Sequence, residues 1–256
     1  MRAVVALWRR EIVRFVRQRS RVVGSLAQPV VFWLLLGGGF SASFRPASAG
    51  PPASYLEYFY AGSLALVLLF TAIFATISVV EDRRSGFLQG VLVAPISRTT
   101  IVMGQALGAT TLGVGQGALF LLLAPLAGIR LGAPMFVGAI AAATLVAFGL
   151  TNVGLMIAWR MESTQGFHAI MNLVLLPIWF LSGAFFPPGG LPAPLRAVMA
   201  LDPLTYGVAM LRHALYAGAP AAADLPSLGV CVGVSAGFAV LSLAGATAVA
   251  RRSGVL

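Results

Sequence analysis

The chain has 256 residues, 59% of them hydrophobic and only 9% charged, with a formal net charge of +10 and a mean hydropathy of +0.93. Soluble domains carry about a quarter charged residues, so this composition excludes an ordinary soluble fold and is that of a multi-span membrane protein. All 17 basic residues are arginine; without a lysine there is no phosphate-binding loop of the form G-x-x-x-x-G-K-[ST], so ATP chemistry has to come from another chain.

In chain order, residues 2–21 come first. At 100° per residue Val4, Trp8, Ile12, Phe15 and Val16 gather on one side, and Arg10, Arg14, Arg17 and Arg21 on the other. The pattern predicts an interfacial helix, its apolar face in lipid and its arginines toward phosphates or water. Such a helix serves as an anchor or as a lever between a cytoplasmic partner and the bundle, and periodicity does not separate the two. A basic start followed by Ala47-Ser48-Ala49 also resembles a cleaved leader. The basic region is too long for one, at about twenty residues, and the apolar run is of span length, so a retained first span is expected.

Apolar runs of about twenty residues, the length needed to cross the hydrocarbon core, predict six spans at roughly 22–40, 59–80, 100–126, 134–158, 167–186 and 227–250. With the N-terminus in the cytoplasm, 13 arginines fall on the inner side and four (Arg45, Arg130, Arg196 and Arg212) on the outer side. The positive-inside rule thus gives a multi-pass protein of the cytoplasmic membrane with both termini in the cytoplasm. The +10 charge is then a matter of topology and anionic headgroups, not of nucleic acid. All 256 residues are expected to form one domain, an all-α membrane protein with six transmembrane helices.

No span carries Asp, Glu, Lys or Arg near its centre; the polar side chains there are Gln28, Gln105, Gln116, Asn152 and Asn172. These suit hydrogen bonds between helices and make a poor proton relay, which argues against an ion-driven carrier. An intramembrane hydrolase is also disfavoured. His168 lies fourteen residues from Ser182, about 21 Å along a helix, and no glycine-serine elbow accompanies Ser182 or His213. With Cys231 alone there is neither an internal disulfide nor a thiolate metal site. Gly104-x-x-x-Gly108 and Gly113-x-x-x-Gly117 face different ways and are read as packing glycines.

Two segments interrupt the apolar pattern. In EDRRSGFLQGVLVAPISRT, residues 81–99, Glu81, Asp82, Arg83 and Arg84 mark the membrane exit, and Gly86 permits a sharp turn. Phe87, Leu88, Val91 and Leu92 then recur at helical spacing, Pro95 stops the short helix, and Ser97 can cap the next span. The outer segment, residues 187–226, is rich in proline; Asp202-Pro203 starts a helix, so short helices over 191–201 and 203–216 are expected to re-enter the outer leaflet. They form either a gate, with Pro187, Asp202, Pro203, Leu204, Tyr206 and Arg212, or a lid without gating; Tyr206 and Arg212 are expected at the lipid–water boundary.

Taken together, EDRRSGFLQGVLVAPISRTTIVMGQALG (81–108) and FLSGAFFPPGGLPAPLRAVMALDPLTYGVAMLRHAL (180–215) resemble the ABC-transporter type-2 permeases. The likeness is greatest to those of the daunorubicin-resistance and nodulation-export kind. It implies a non-catalytic permease subunit, dimeric with itself or with a second permease. Two separate ATPase subunits would bind ATP and Mg, with no cofactor on this chain. The cargo would be hydrophobic or amphipathic: a drug, or a lipid-linked or glycan-type compound. The loop 81–99 becomes an ATPase-coupling element, with Arg98 pairing with an acidic ATPase residue or a lipid phosphate, and Arg160 with Glu162 a second contact. The alternative is an ATP-independent carrier or lipid flippase. Two departures stand out: Gln89-Gly90 where many relatives carry an acid, and Gly207-Val208-Ala209 where an acid usually follows P-L-T-Y.

Overall fold

A computed structural model describes residues 1–41, 54–186, 191–216 and 225–252. All regular structure among them is helical. Helix α1 covers Arg2–Arg17, α2 Arg19–Phe40, α3 Tyr55–Arg84, α4 Phe87–Val93, α5 Arg98–Leu121 and α6 Ala133–Ala158. Helix α7 covers Thr164–Trp179 and runs into a π turn over Phe180–Ala184; α8 (Ala193–Leu201), α9 (Pro203–Leu215) and α10 (Leu228–Arg252) follow.

Helices α2, α3, α6, α7 with its π turn, and α10 are long and apolar enough to cross a membrane. Helix α5 has 24 residues, about 36 Å, but Gln105, Gln116 and its many glycines and threonines make it more polar. At the centre stands α3, apolar on every side, with nearly all its residues buried. Its neighbours press on it where they are small or flat. Gly37 of α2 abuts Leu56, Gly117 of α5 meets Leu68, and Gly154 of α6 meets Thr76. At Gly62 an added Cβ would stand 2.5 Å from the Ala184 carbonyl oxygen, so only glycine admits the π turn there.

The contacts place one end of the bundle around the start of α1, the end of α3, α4, the start of α5 and the end of α10. This end gathers most of the described arginines and is called the basic end below. At the opposite end Trp33, Tyr60 and Phe120 interlock, with ring centroids 4.8–5.7 Å apart, and α8 and α9 close over the π turn. Boundaries follow local chemistry. Ser54, Ser97, Ser163 and Asp202 each cap the helix that follows by accepting a backbone N–H.

Candidate functional site: the basic end

The loop after α3 has the expected form. Gly86 adopts φ +78°, a left-handed turn open to glycine without strain. It redirects the chain into α4, which ends at Ala94 before Pro95. Leu88 is buried and anchors α4, whereas Val93 is 86% exposed. Pro95 and Arg84 are also exposed. Arg83 reaches sideways to donate to the carbonyls of Trp159 and Met161 (3.1 Å for Met161), joining this loop to the turn between α6 and α7.

That junction brings the two predicted contact regions together. Arg83, Leu88, Leu92, Val93, Arg98, Arg160 and Glu162 line one open groove of about 760 Å³, and Arg252 from the end of α10 completes it. Four arginines against one glutamate make the groove cationic. Arg98 keeps one guanidinium nitrogen enclosed without a hydrogen bond. Val93, at the end of α4, stands exposed at the edge of this cationic cleft.

Behind α4 lies an arrangement the sequence did not disclose. Asp82 is buried and receives both guanidinium nitrogens of Arg10, at 2.6 and 2.7 Å, in a bidentate pair, and Arg14 at 2.5 Å. Glu81 takes Arg14 at 2.6 Å and also Arg21. Glu11 is buried in α1; it accepts the Ser78 hydroxyl at 2.8 Å and Arg10 at 3.1 Å. Burial pushes the Glu11 carboxyl up, against the pull of Ser78 and Arg10. The Arg10 guanidinium also lies 3.8 Å from the centre of the Phe87 ring, a cation–π contact that carries the clasp into α4.

Consequently, while Val16 of the apolar face stays exposed, one side of α1, carrying Leu7, Glu11 and Phe15, packs on the bundle. Gly104 and Gly108 of α5 accept it: an added Cβ at either position would stand 2.7 Å from the Cβ of Leu7 or Glu11. Trp8 donates to Thr111 at 3.0 Å, and Phe15 packs with Ala75, Ala109 and Leu112. The expectation of arginines turned to water or phosphate is corrected for Arg10, Arg14 and Arg21, because the Glu81–Asp82 pair outcompetes solvent for them. The signal was Glu11, a lone acid in a basic helix.

At the opposite end Pro187 lies outside the described residues. Asp202 caps α9 through the Leu204 amide at 2.9 Å, and burial pushes its carboxyl up to about 7. Tyr206 donates to the Ala200 carbonyl at 2.9 Å, bracing α9 on α8. Arg212 departs from expectation. It is buried, donates to the Gly183 carbonyl at 2.8 Å and sits 4.2 Å over the Tyr58 ring, because the left-handed Gly183 leaves that carbonyl free of helix bonding. Ser182 donates to Trp179 at 2.7 Å and is a helix-packing residue.

A family model for the ABC-2 type transporter matches residues 2–216, which include the α4 loop and α9. The chain belongs to the ABC-2 type transporter family. Nodulation protein J of Rhizobium leguminosarum bv. viciae is 26% identical over 97% of this chain and 93% of its own. Nodulation protein J of Sinorhizobium fredii is 26% identical over 91% and 86%. The transport permease ycf38 of Cyanophora paradoxa is 28% identical over 80% and 71%. The chain is therefore a multi-pass membrane protein and a transport permease.

Proposed function

We propose that the chain is the transmembrane subunit of an ATP-driven exporter, working as a dimer with two separate ATPase subunits. In this reading α5 is a sixth crossing, both termini are cytoplasmic, and α4 with the groove beside it receives the ATPase. The observation that carries the proposal is that groove. Phe87 and Val93 are exposed at the two ends of α4, and Val93 lies beside Arg98, Arg160 and Arg252 at one end of a transport permease that has no phosphate-binding loop of its own. Carboxylates of the ATPase would pair with the cationic groove formed by Arg98, Arg160 and Arg252.

The clasp gives the motion a route. A push on α4 acts on Phe87, on Arg10 above it, and so on α1 and on Asp82 at the end of the central helix. At the other end α9, braced by Asp202 and Arg212, closes the exit and opens toward the outer leaflet. The absence of a carboxylate at midspan supports a driving force supplied from outside the membrane. Small apolar side chains and few amides along the spans suit a hydrophobic or amphipathic cargo.

Reconstitution of the chain with an ABC-type ATPase subunit that co-purifies with it tests the reading. Efflux of an amphipathic dye from vesicles stops when ATP is depleted or when the ATPase phosphate-binding lysine is replaced. Efflux that continues in the chain alone identifies an ATP-independent carrier or flippase instead.

A further inference from the structure

Helical geometry breaks at Gln18 (φ −93°, ψ 82°), so α1 and α2 diverge there. The inside of the corner faces α5 across an open groove of about 440 Å³, within the usual size of small-molecule sites. Its walls are apolar, built from Ile12, Phe15, Val22, Leu112 and Leu119, and Gly115 leaves the floor low. Three polar side chains interrupt them: Arg19, Gln116 and Thr111, the last engaged by Trp8 and the Leu107 carbonyl. Arg19 lines the groove, is exposed, and forms no ion pair among the described residues, because Glu11, Glu81 and Asp82 are engaged by Arg10, Arg14 and Arg21. Gln116 is buried; its Nε2 donates to the Val22 carbonyl at 3.3 Å, while its Oε1 is enclosed and receives no hydrogen bond.

We propose that this corner holds one anionic phospholipid from the leaflet at the basic end, with an acyl chain in the groove and its phosphate on Arg19. The two halves of the site argue for a lipid together. A soluble anion gains nothing from apolar walls, and a zwitterionic lipid gains little from an unneutralised arginine. The groove is preformed, since the clasp and the Gly104–Gly108 seat hold α1 without help from lipid.

The complete chain, delipidated in detergent, is titrated with phosphatidylglycerol, phosphatidylcholine and glycerophosphate, and bound lipid per chain is read by native mass spectrometry. One phosphatidylglycerol is retained per chain about fivefold more tightly than phosphatidylcholine, as expected for a single arginine at the headgroup. Glycerophosphate, which has the phosphate without the chains, does not bind. Arg19→Gln brings phosphatidylglycerol down to the phosphatidylcholine level. Gly115→Leu, whose new side chain meets nothing within 4 Å of its Cβ, fills the groove and abolishes the tight site for both lipids. Gly115→Ala serves the same comparison, with a smaller loss, if the leucine variant does not fold. Equal affinity for the two lipids, or retention unchanged by Arg19→Gln or by filling the groove, overturns the proposal. So does a disulfide between two Val16→Cys chains that excludes phosphatidylglycerol, since a second copy would then be the occupant.

Discussion

Asp82 illustrates what single residues decide here. Its side chain is almost fully enclosed, and the two arginines on it, Arg10 and Arg14, keep about a quarter of their surface. Replacing Asp82 by alanine strands two guanidinium groups beside Glu11 and Glu81. We expect a loss of roughly 2–3 kcal/mol, below the range for fully buried pairs because water still reaches the arginines. Thermal unfolding in detergent measures it, and Arg84→Ala, at an exposed position, should change little. Asp202 gives a pH signature. Its folded value, about 7, lies above the ordinary 3.8, so the folded chain holds a proton that the unfolded chain releases between those values. The stability of the start of α9 therefore falls as pH rises from about 4 to about 7 and is level above that. Hydrogen-exchange protection over 204–207, corrected for intrinsic rates, should follow this trend, and Asp202→Asn should flatten it. The caps Ser97 and Asp202 were legible in the sequence because a cap acts within three residues. The clasp was not, because Arg10 and Asp82 are 72 positions apart.

Among the elements, α1 depends on the absence of side chains at Gly104 and Gly108. Gly108→Leu drives a side chain into Glu11 and the Trp8 carbonyl, and should cost about 1–3 kcal/mol by overpacking. Fluorescence of Trp8 should report α1 leaving α5. Gly90→Leu, where an added Cβ meets nothing within 4 Å, should leave that signal unchanged. The location of α1 illustrates a limit of periodicity: an amphipathic stripe has the same spacing whether it rests on lipid or on another helix. Glu11 and the glycine pair on α5 distinguished the two, and a chain with 29 glycines hides the pair. Helix α4 was more readable, since Gly86 and Pro95 bracket a segment that holds the seven residues of α4, whose pattern closes on Leu88. Its outward residue, Val93, is the position to alter. Val93→Asp should leave the melting temperature unchanged and reduce ATP-dependent efflux at least about tenfold, the loss expected from roughly 1.4 kcal/mol of docking energy.

For the molecule as a whole, length and apolarity made the bundle legible: five of the six expected spans coincide, within a few residues, with helices long and apolar enough to cross a membrane, and the sixth falls on the more polar α5. The buried Arg212 was less so. An arginine near a span end reads as interfacial, and it is the left-handed Gly183, whose carbonyl accepts both Arg212 and the Tyr58 hydroxyl, that draws it inward. The π turn itself follows from a close approach to Gly62 that no local pattern encodes. What links the two ends is α3, which carries Asp82 at one terminus and Tyr55 and Tyr58, bonded to Phe185 and Gly183, at the other. The account thus rests on α4 meeting an ATPase. A photo-crosslinking residue at position 93, in the chain co-expressed with that ATPase subunit, tests this most directly. The account predicts a crosslink to the ATPase that Arg160→Glu weakens and that a probe at Val240, exposed on α10, does not form. A crosslink only to lipid, or an equal yield from both positions, would contradict it.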